Sequence, residues 1–323
     1  MQVVVVGAGR MGHGLGLCYA LGGHHVTLVD RDDAALDRAR TGVAEAATFL
    51  VEHGLVDDGS ADPAIARIDY ADHLPDAIGA AGLVQEAIHE NLAAKQALFA
   101  EIEAAASDDA ILATNTSSLR IGTVTARMRQ PGRVIGIHWV APPYLVPLVE
   151  VVRTEATPDA LVDRALDVLT ALGKVPVVVP DVPGFALNRL QYALLAAAVD
   201  LVDQKIVGPR EVDLLIRHAM APRMLAFGLL ELFDLIVDGR TVEAVATYLF
   251  EETGDLRFRP SPRLADLVER GRRGMITGAG WFEYDGEPEE IASRRDDAFA
   301  RAYRAQAELD RTVGPTLARS PGT

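Results

Sequence analysis

Glycines at positions 7, 9 and 12 follow directly on four consecutive valines, Val3 to Val6, and lead into a helix-compatible run ending at Leu21. Strand, then Gly-x-Gly-x-x-Gly, then helix is the context in which a glycine loop cradles a dinucleotide pyrophosphate. Gly7 permits the tight turn, Gly9 lets the backbone approach the phosphates, and Gly12 allows helix and strand to pack closely; Arg10 and Met11 complete the loop. The helix start adds free N–H groups and the positive end of its dipole. Asp30 closes the second apolar run, where an acid can accept hydrogen bonds from the adenosine ribose hydroxyls. A carboxylate there repels a 2′-phosphate, so NAD is the expected cofactor rather than NADP, although the neighbouring Arg31 can accommodate such a phosphate. The competing reading is a glycine turn that holds FAD or another ligand.

Further polar residues fall at the ends of later apolar runs, where open α/β sheets bind their ligands. They are Glu86 and Glu90, the run Asn115-Thr116-Ser117-Ser118, and His138. Glu150 is flanked by Leu148, Val149, Val151 and Val152, and a carboxylate in such surroundings needs a partner. His138, just before the turn Ala141-Pro142-Pro143, is a plausible one. A histidine held by a carboxylate can take the proton of a secondary alcohol while hydride leaves carbon, because imidazole exchanges protons near neutrality. The carboxylate would fix the ring tautomer and stabilise the imidazolium.

The elements that must position these groups alternate through the first part of the chain. Apolar, β-branched runs at residues 3–6, 25–30, 83–85, 110–113, 134–138, 148–152 and 175–179 predict strands. Helical spacing at 33–53, 91–106 and 158–172 lies between them. Strands separated by helices imply βαβ units and a mainly parallel, doubly wound sheet of Rossmann type. Pro180-Asp181-Val182-Pro183-Gly184 stops regular structure, and the pattern then turns helical at 185–203, 209–219, 241–252, 262–270 and 289–307. The expected organisation is therefore an NAD-binding α/β domain over residues 1–183, followed by an all-α domain over 184–323 for substrate and dimerisation. The glycine-rich stretch 271–280 suggests an ordered loop, and residues 314–323 a frayed end.

Forty-six acidic residues against thirty-one basic ones give a net charge of −15, a field that repels nucleic acid and anionic membrane surfaces. Any anionic ligand must be held by local donors. No apolar run is long enough to span a bilayer. Cys18 is the only cysteine, which excludes an internal disulfide and a CxxC site. The N-terminus lacks a basic segment and cleavage signal, so a cytoplasmic location is expected.

Several segments together resemble the L-3-hydroxyacyl-CoA dehydrogenase superfamily. They are the glycine loop, Glu86-Ala87-Ile88-His89-Glu90-Asn91-Leu92 with Lys95, and Thr114-Asn115-Thr116-Ser117-Ser118-Leu119. Gly136-Ile137-His138-Trp139, Pro147-Leu148-Val149-Glu150-Val151-Val152 and Pro183-Gly184-Phe185-Ala186-Leu187-Asn188-Arg189 continue the series. The chain length and Leu187-Asn188-Arg189-Leu190-Gln191-Tyr192-Ala193 are most similar to the L-gulonate 3-dehydrogenase and λ-crystallin branch. The resemblance implies a His138–Glu150 dyad, with Ser117 and Asn188 on the substrate oxygens and Glu90, Lys95 and Asn115 along the cofactor. Alternatively, Ser117 could cap a helix beginning near Leu119, and Asn188 could cap or pack internally. The implied substrate is a 3-hydroxy or 3-keto acid, or its acyl-CoA ester, and the implied assembly a homodimer through the C-terminal domain. The alternatives within the superfamily are a conventional short-chain 3-hydroxyacyl-CoA dehydrogenase and a non-catalytic NAD-binding or structural protein.

Two departures fall on the substrate side. The family usually has Asn three residues after the histidine, where Ala141 stands here, and residues 219–231 carry side chains in place of glycines. Within that second segment, Arg223 is the nearest candidate to meet a carboxylate, the alternative being a plain surface charge.

Overall fold

The computed structural model describes residues 1–313, apart from the side chains of Pro75 and Asp76; the expected frayed end at 314–323 lies outside the described residues. By its contacts the chain divides into a unit Met1–Leu194 and a second from Leu195 onward.

The first unit runs β1 (Gln2–Val6), α1 (Arg10–Leu21), β2 (His25–Val29), α2 (Asp33–Glu52), α3 (Ala61–Ile65), β3 (Ile68–Ala71), α4 (Leu74–Ile78) and β4 (Leu83–Glu86). It continues α5 (Leu92–Ala105), β5 (Ile111–Thr114), α6 (Ile121–Val124), β6 (Val134–Trp139), β7 (Leu148–Arg153), α7 (Asp159–Ala171), β8 (Val175–Pro180) and α8 (Leu187–Asp203), the last extending past Leu194. The strands form one sheet in the order β3-β2-β1-β4-β5-β6-β7-β8. Alternation along the strands feeds two cores. Val3, Val5, Ile135 and Ile137 pack under α1, α2, α3 and α7, whereas Val4, Val6, Val134 and Val152 pack under α4, α5 and α6.

Three features differ from the pattern the sequence suggests. β3 has no signal in the apolar periodicity, because of its four residues only Ile68 is buried. β2 stops at Val29, leaving Asp30 just beyond the strand at the sheet's C-terminal edge. All neighbouring strands pair in parallel except β6 and β7. Their connection, residues 140–147, is too short for a crossover, so the chain must return antiparallel.

The second unit is helical: α9 (Pro209–Leu215), a π-helical turn (Ile216–Met220), α10 (Ala221–Ala226), α11 (Leu229–Ile236), α12 (Gly239–Thr253), α13 (Pro262–Glu269) and α14 (Pro288–Thr312). The helix expected at 209–219 is thus broken by the π turn. The glycine-rich loop is ordered by Asp234, whose carboxylate accepts from Phe282 N–H and Tyr284 O–H, both at 3.1 Å. Gly280 is required there, since a Cβ would lie 2.2 Å from Asp234 Oδ1.

Candidate active site

Two cavities open at the C-terminal edge of the parallel strands. The first, about 400 Å³, is lined by Gly7, Gly9, Asp30, Arg31, Ile88, His89 and Glu101 among others. Gly7 has φ +105° and lies against the chain after β4, where a Cβ would sit 2.7 Å from Ala87 O. Gly12 packs on the loop itself; a Cβ there would be 1.7 Å from Gly7 O. A Cβ on Gly9 would meet no protein atom within 4 Å. That bare backbone, at the N-cap of a helix with no side-chain cap, fits a pyrophosphate approaching the first N–H groups of α1. Arg10 is exposed on the first turn.

Asp30 is positioned by Ala8 N–H (2.8 Å) on Oδ2 and Asp32 N–H (3.1 Å) on Oδ1, which aim its carboxylate at the loop. Arg31 is engaged elsewhere: its Nη2 donates to both oxygens of Glu101, at 3.1 and 3.0 Å. The cation that could have received a 2′-phosphate therefore has an acidic partner on the same cavity wall, which reinforces Asp30 in favouring NAD.

The second cavity, about 590 Å³, is walled by Met11, Ala87, Ile88, Glu90, Asn115, Ser117, Ser118, Gly184, Asn188, Arg189 and Tyr192. Glu90 organises one wall. Its Oε1 accepts from Thr116 Oγ1 (2.6 Å), from the amides of Ser117 and Ser118 (3.2 Å each) and from Ser118 Oγ (3.0 Å). Burial pushes the Glu90 carboxyl up, but Thr116, Lys95 and Ser118 outweigh it and hold it below the ordinary range. These bonds also explain why Ser117 caps no helix: α6 starts only at Ile121.

Lys95, expected along the cofactor, is buried. Its side chain is 1% exposed and lines neither cavity. Nζ lies 2.6 Å from Glu86 Oε1 and 3.3 Å from Glu90 Oε2, while Glu86 also accepts from Ile88 N–H (2.8 Å) and Thr114 Oγ1 (2.6 Å). Two buried charges so close need one another, and the ammonium acts from behind the wall by fixing Glu86 and Glu90. Asn115, by contrast, lines the cavity, and its Oδ1 accepts from Trp139 N–H at 2.8 Å.

The antiparallel register sets His138 directly opposite Glu150. Cross-strand partners share a face, and His138 Nδ1 lies 2.8 Å from Glu150 Oε2 with both side chains buried. The other carboxylate oxygen accepts from Ala186 N–H and Leu187 N–H, each at 2.9 Å. Glu150 thus caps the start of α8 from a different element. The chain reaches this pose because Gly184 (φ +72°) and Phe185 (φ +51°) both turn left-handed, delaying α8 to Leu187. Phe185 is fully buried with its ring 5.6 Å from the His138 ring, and burial among such partners holds its strained backbone. Burial alone would raise the Glu150 carboxyl, but the bonds from His138, Leu187 and Ala186 bring it below the ordinary range. An ionised carboxylate can only accept, so Nδ1 carries a proton, and in the neutral ring the lone pair is on Nε2. Nε2 has no partner among the described residues. His138 lines neither cavity itself; Asn115, which lines the second, bonds the amide of the next residue, and the Phe185 ring beside His138 follows the lining residue Gly184.

Asn188 and Ser117 meet: Asn188 Nδ2 donates to Ser117 O at 2.7 Å. Asn188 Oδ1 and Ser117 Oγ remain without protein partners among the described residues. Sequence reasoning did not single out Glu101, Phe185, the amides of Ala186 and Leu187, Arg189 as a cavity residue, or Tyr192. Helical spacing after Gly184 gave the available hint, since Asn188 and Tyr192 are one turn apart. Ala141 is exposed in the loop after β6. Arg223, in the second unit, donates Nε to Ala219 O at 2.6 Å.

A family model described as 3-hydroxyacyl-CoA dehydrogenase, NAD binding domain, matches residues 2–182, and one described as the C-terminal domain matches 184–284. The chain is 34% identical over 286 residues to a 3-hydroxybutyryl-CoA dehydrogenase of Mycobacterium tuberculosis, covering 88% of this chain and 98% of that one. It is 31% identical over 288 residues to the 5-formyl-3-hydroxy-2-methylpyridine 4-carboxylate 5-dehydrogenase of Mesorhizobium japonicum, covering 88% and 91%. The solved 3-hydroxyacyl-CoA dehydrogenase of Archaeoglobus fulgidus superposes with a TM-score of 0.78 at 27% identity, covering 98% of this chain and 100% of that one.

Proposed function

Since the chain belongs to the 3-hydroxyacyl-CoA dehydrogenase family of NAD-dependent oxidoreductases acting on CH–OH groups, we propose that it interconverts a small L-3-hydroxy acid, or its acyl-CoA ester, with the 3-keto form. The observation that carries this reading is the 2.8 Å His138–Glu150 bond, which leaves Nε2 unengaged beside a cavity walled by Ser117 and Asn188.

His138 takes the substrate hydroxyl proton at Nε2, and Glu150, ionised and anchored by the α8 amides, stabilises the resulting imidazolium. Ser117 Oγ and Asn188 hold the substrate oxygens, and their mutual contact sets the spacing. Gly7, Gly9, Arg10, Met11 and Gly12 hold the pyrophosphate, Asp30 the ribose, and Asn115 with Glu90 the wall nearest the reacting end. NAD, when bound, supplies the hydride acceptor. In reduction the same proton returns from the imidazolium to the new alkoxide.

Residues 1–183 then serve the cofactor and 184–323 the substrate and the subunit contact. The relatives are named for both a CoA ester and a pyridine carboxylate, so the family does not impose a thioester. Leu187-Asn188-Arg189-Leu190-Gln191-Tyr192-Ala193 supports the L-gulonate 3-dehydrogenase branch and hence a free acid. Exposed Leu190, Leu195 and Val199 on α8, and Leu225, Tyr248 and Leu256 in the helical unit, support a homodimer. Sedimentation is expected to show a dimer, and a monomer at micromolar concentration would refute this.

The functional reading is tested by supplying NAD⁺ or NADP⁺ with 2-, 3- and 4-hydroxybutanoate and with 3-hydroxybutanoyl-CoA. NADH should form with 3-hydroxy substrates and far less NADPH should form. Turnover of only the 2- or 4-hydroxy isomers would overturn the assignment.

A further inference from the structure

The second cavity is richer in donors than the proton transfer needs. Its one carboxylate, Glu90, has both oxygens engaged by Thr116, Ser117, Ser118 and Lys95. The amides at the start of α8 are taken by Glu150, and Asn188 Nδ2 by Ser117 O. Among the lining residues, Asn115 Nδ2, Ser117 Oγ, the Arg189 guanidinium and the Tyr192 hydroxyl have no partner among the described residues. Arg189 makes no hydrogen bond or ion pair among the described residues, in a chain of net charge −15. It folds back over the turn, with Cγ 3.8 Å from where a Cβ on Gly184 would stand. Arg189 and Tyr192 are three residues apart and thus neighbours on one face of α8.

The geometry points to Arg189 as the residue that receives a carboxylate of the substrate itself, making a free hydroxy or keto acid the preferred substrate class. This rests on the functional reading given above. A planar guanidinium can hold a carboxylate through two parallel hydrogen bonds, and the Tyr192 hydroxyl can add a third. The neighbouring Ser117 Oγ and the His138 nitrogen are left for the reacting oxygen. An anionic ligand has to be drawn in against the global field, and Arg189 is the cation on this wall that no protein acid neutralises.

The test compares NADH oxidation with acetoacetate, ethyl acetoacetate and acetoacetyl-CoA in wild type, Arg189→Gln and Arg189→Lys. Acid and ester share the reacting carbons and differ in the anion. In Arg189→Gln the acid-to-ester ratio of kcat/KM should fall about tenfold or more, as expected for losing a charge-assisted pair. Arg189→Lys should recover part of that ratio. An unchanged ratio overturns the assignment. So does a loss seen with the thioester instead of the acid, which would place Arg189 on a coenzyme phosphate. A matching rise in the NADH dissociation constant, read by fluorescence, would place it on the cofactor and overturn it too. If wild type oxidises NADH with none of the three, the functional reading falls and this inference with it.

Discussion

His138→Ala is expected to lower kcat by about 10³-fold, within the range of roughly 10²–10⁴ that general acid–base catalysis contributes. The imidazole has a ring nitrogen, Nε2, without a partner among the described residues, and it is the group suited to exchange a proton near neutrality. Glu150 cannot substitute, because one oxygen faces the two α8 amides and the other faces the vacated ring. The cofactor walls lie on other strand ends, so NADH affinity should stay within about twofold. His138→Gln, which fills more of the buried space, should be similarly inactive and separates lost chemistry from lost packing. Either variant retaining more than a tenth of wild-type turnover on the best substrate would remove His138 from the mechanism.

Glu150→Gln should cost about 10²-fold in kcat, and the reason lies in the α8 amides. Ala186 and Leu187 need an acceptor, so the glutamine oxygen must face them and its NH₂ must face Nδ1. Nδ1 then has to offer its lone pair, which moves the ring proton to Nε2 and leaves no base toward the substrate. The substitution also has a signature in stability. The Glu150 carboxyl lies below its ordinary value in the folded state. It therefore adds stability that is complete above the unfolded carboxyl range, about 4.3, and is lost as pH falls through the lower folded value. Urea midpoints of wild type should fall more steeply below about pH 4.5 than those of Glu150→Gln. Parallel acid limbs would show that the carboxylate is not held as described.

Much of this site was legible before any coordinate. The glycine loop declared itself because each glycine answers a steric demand: Gly7 a positive φ, Gly12 a contact with Gly7 O, Gly9 open space. Glu150 was legible as a charge inside an apolar strand. The antiparallel register then turned a sequence neighbour into a direct cross-strand partner. The Lys95–Glu86 contact was not legible, because helical spacing gives the face of α5 but not whether a long side chain reaches outward or back to Glu86. Phe185 escaped notice because a left-handed bulky residue has no marker in composition; only the need to bring two amides onto Glu150 explains it. The Arg31–Glu101 pair joins residues far apart in sequence, and β3 is too short and polar for periodicity to reveal.

The central claim is that His138 and Glu150 act as one unit, and the double variant His138→Ala/Glu150→Gln tests it most directly. Once the imidazole is gone, the carboxylate has nothing to orient. The double variant should therefore match the kcat of His138→Ala within about threefold, as residues of one catalytic unit do. Multiplication of the two losses, to about 10⁵-fold, would mean that they act independently and would contradict the dyad.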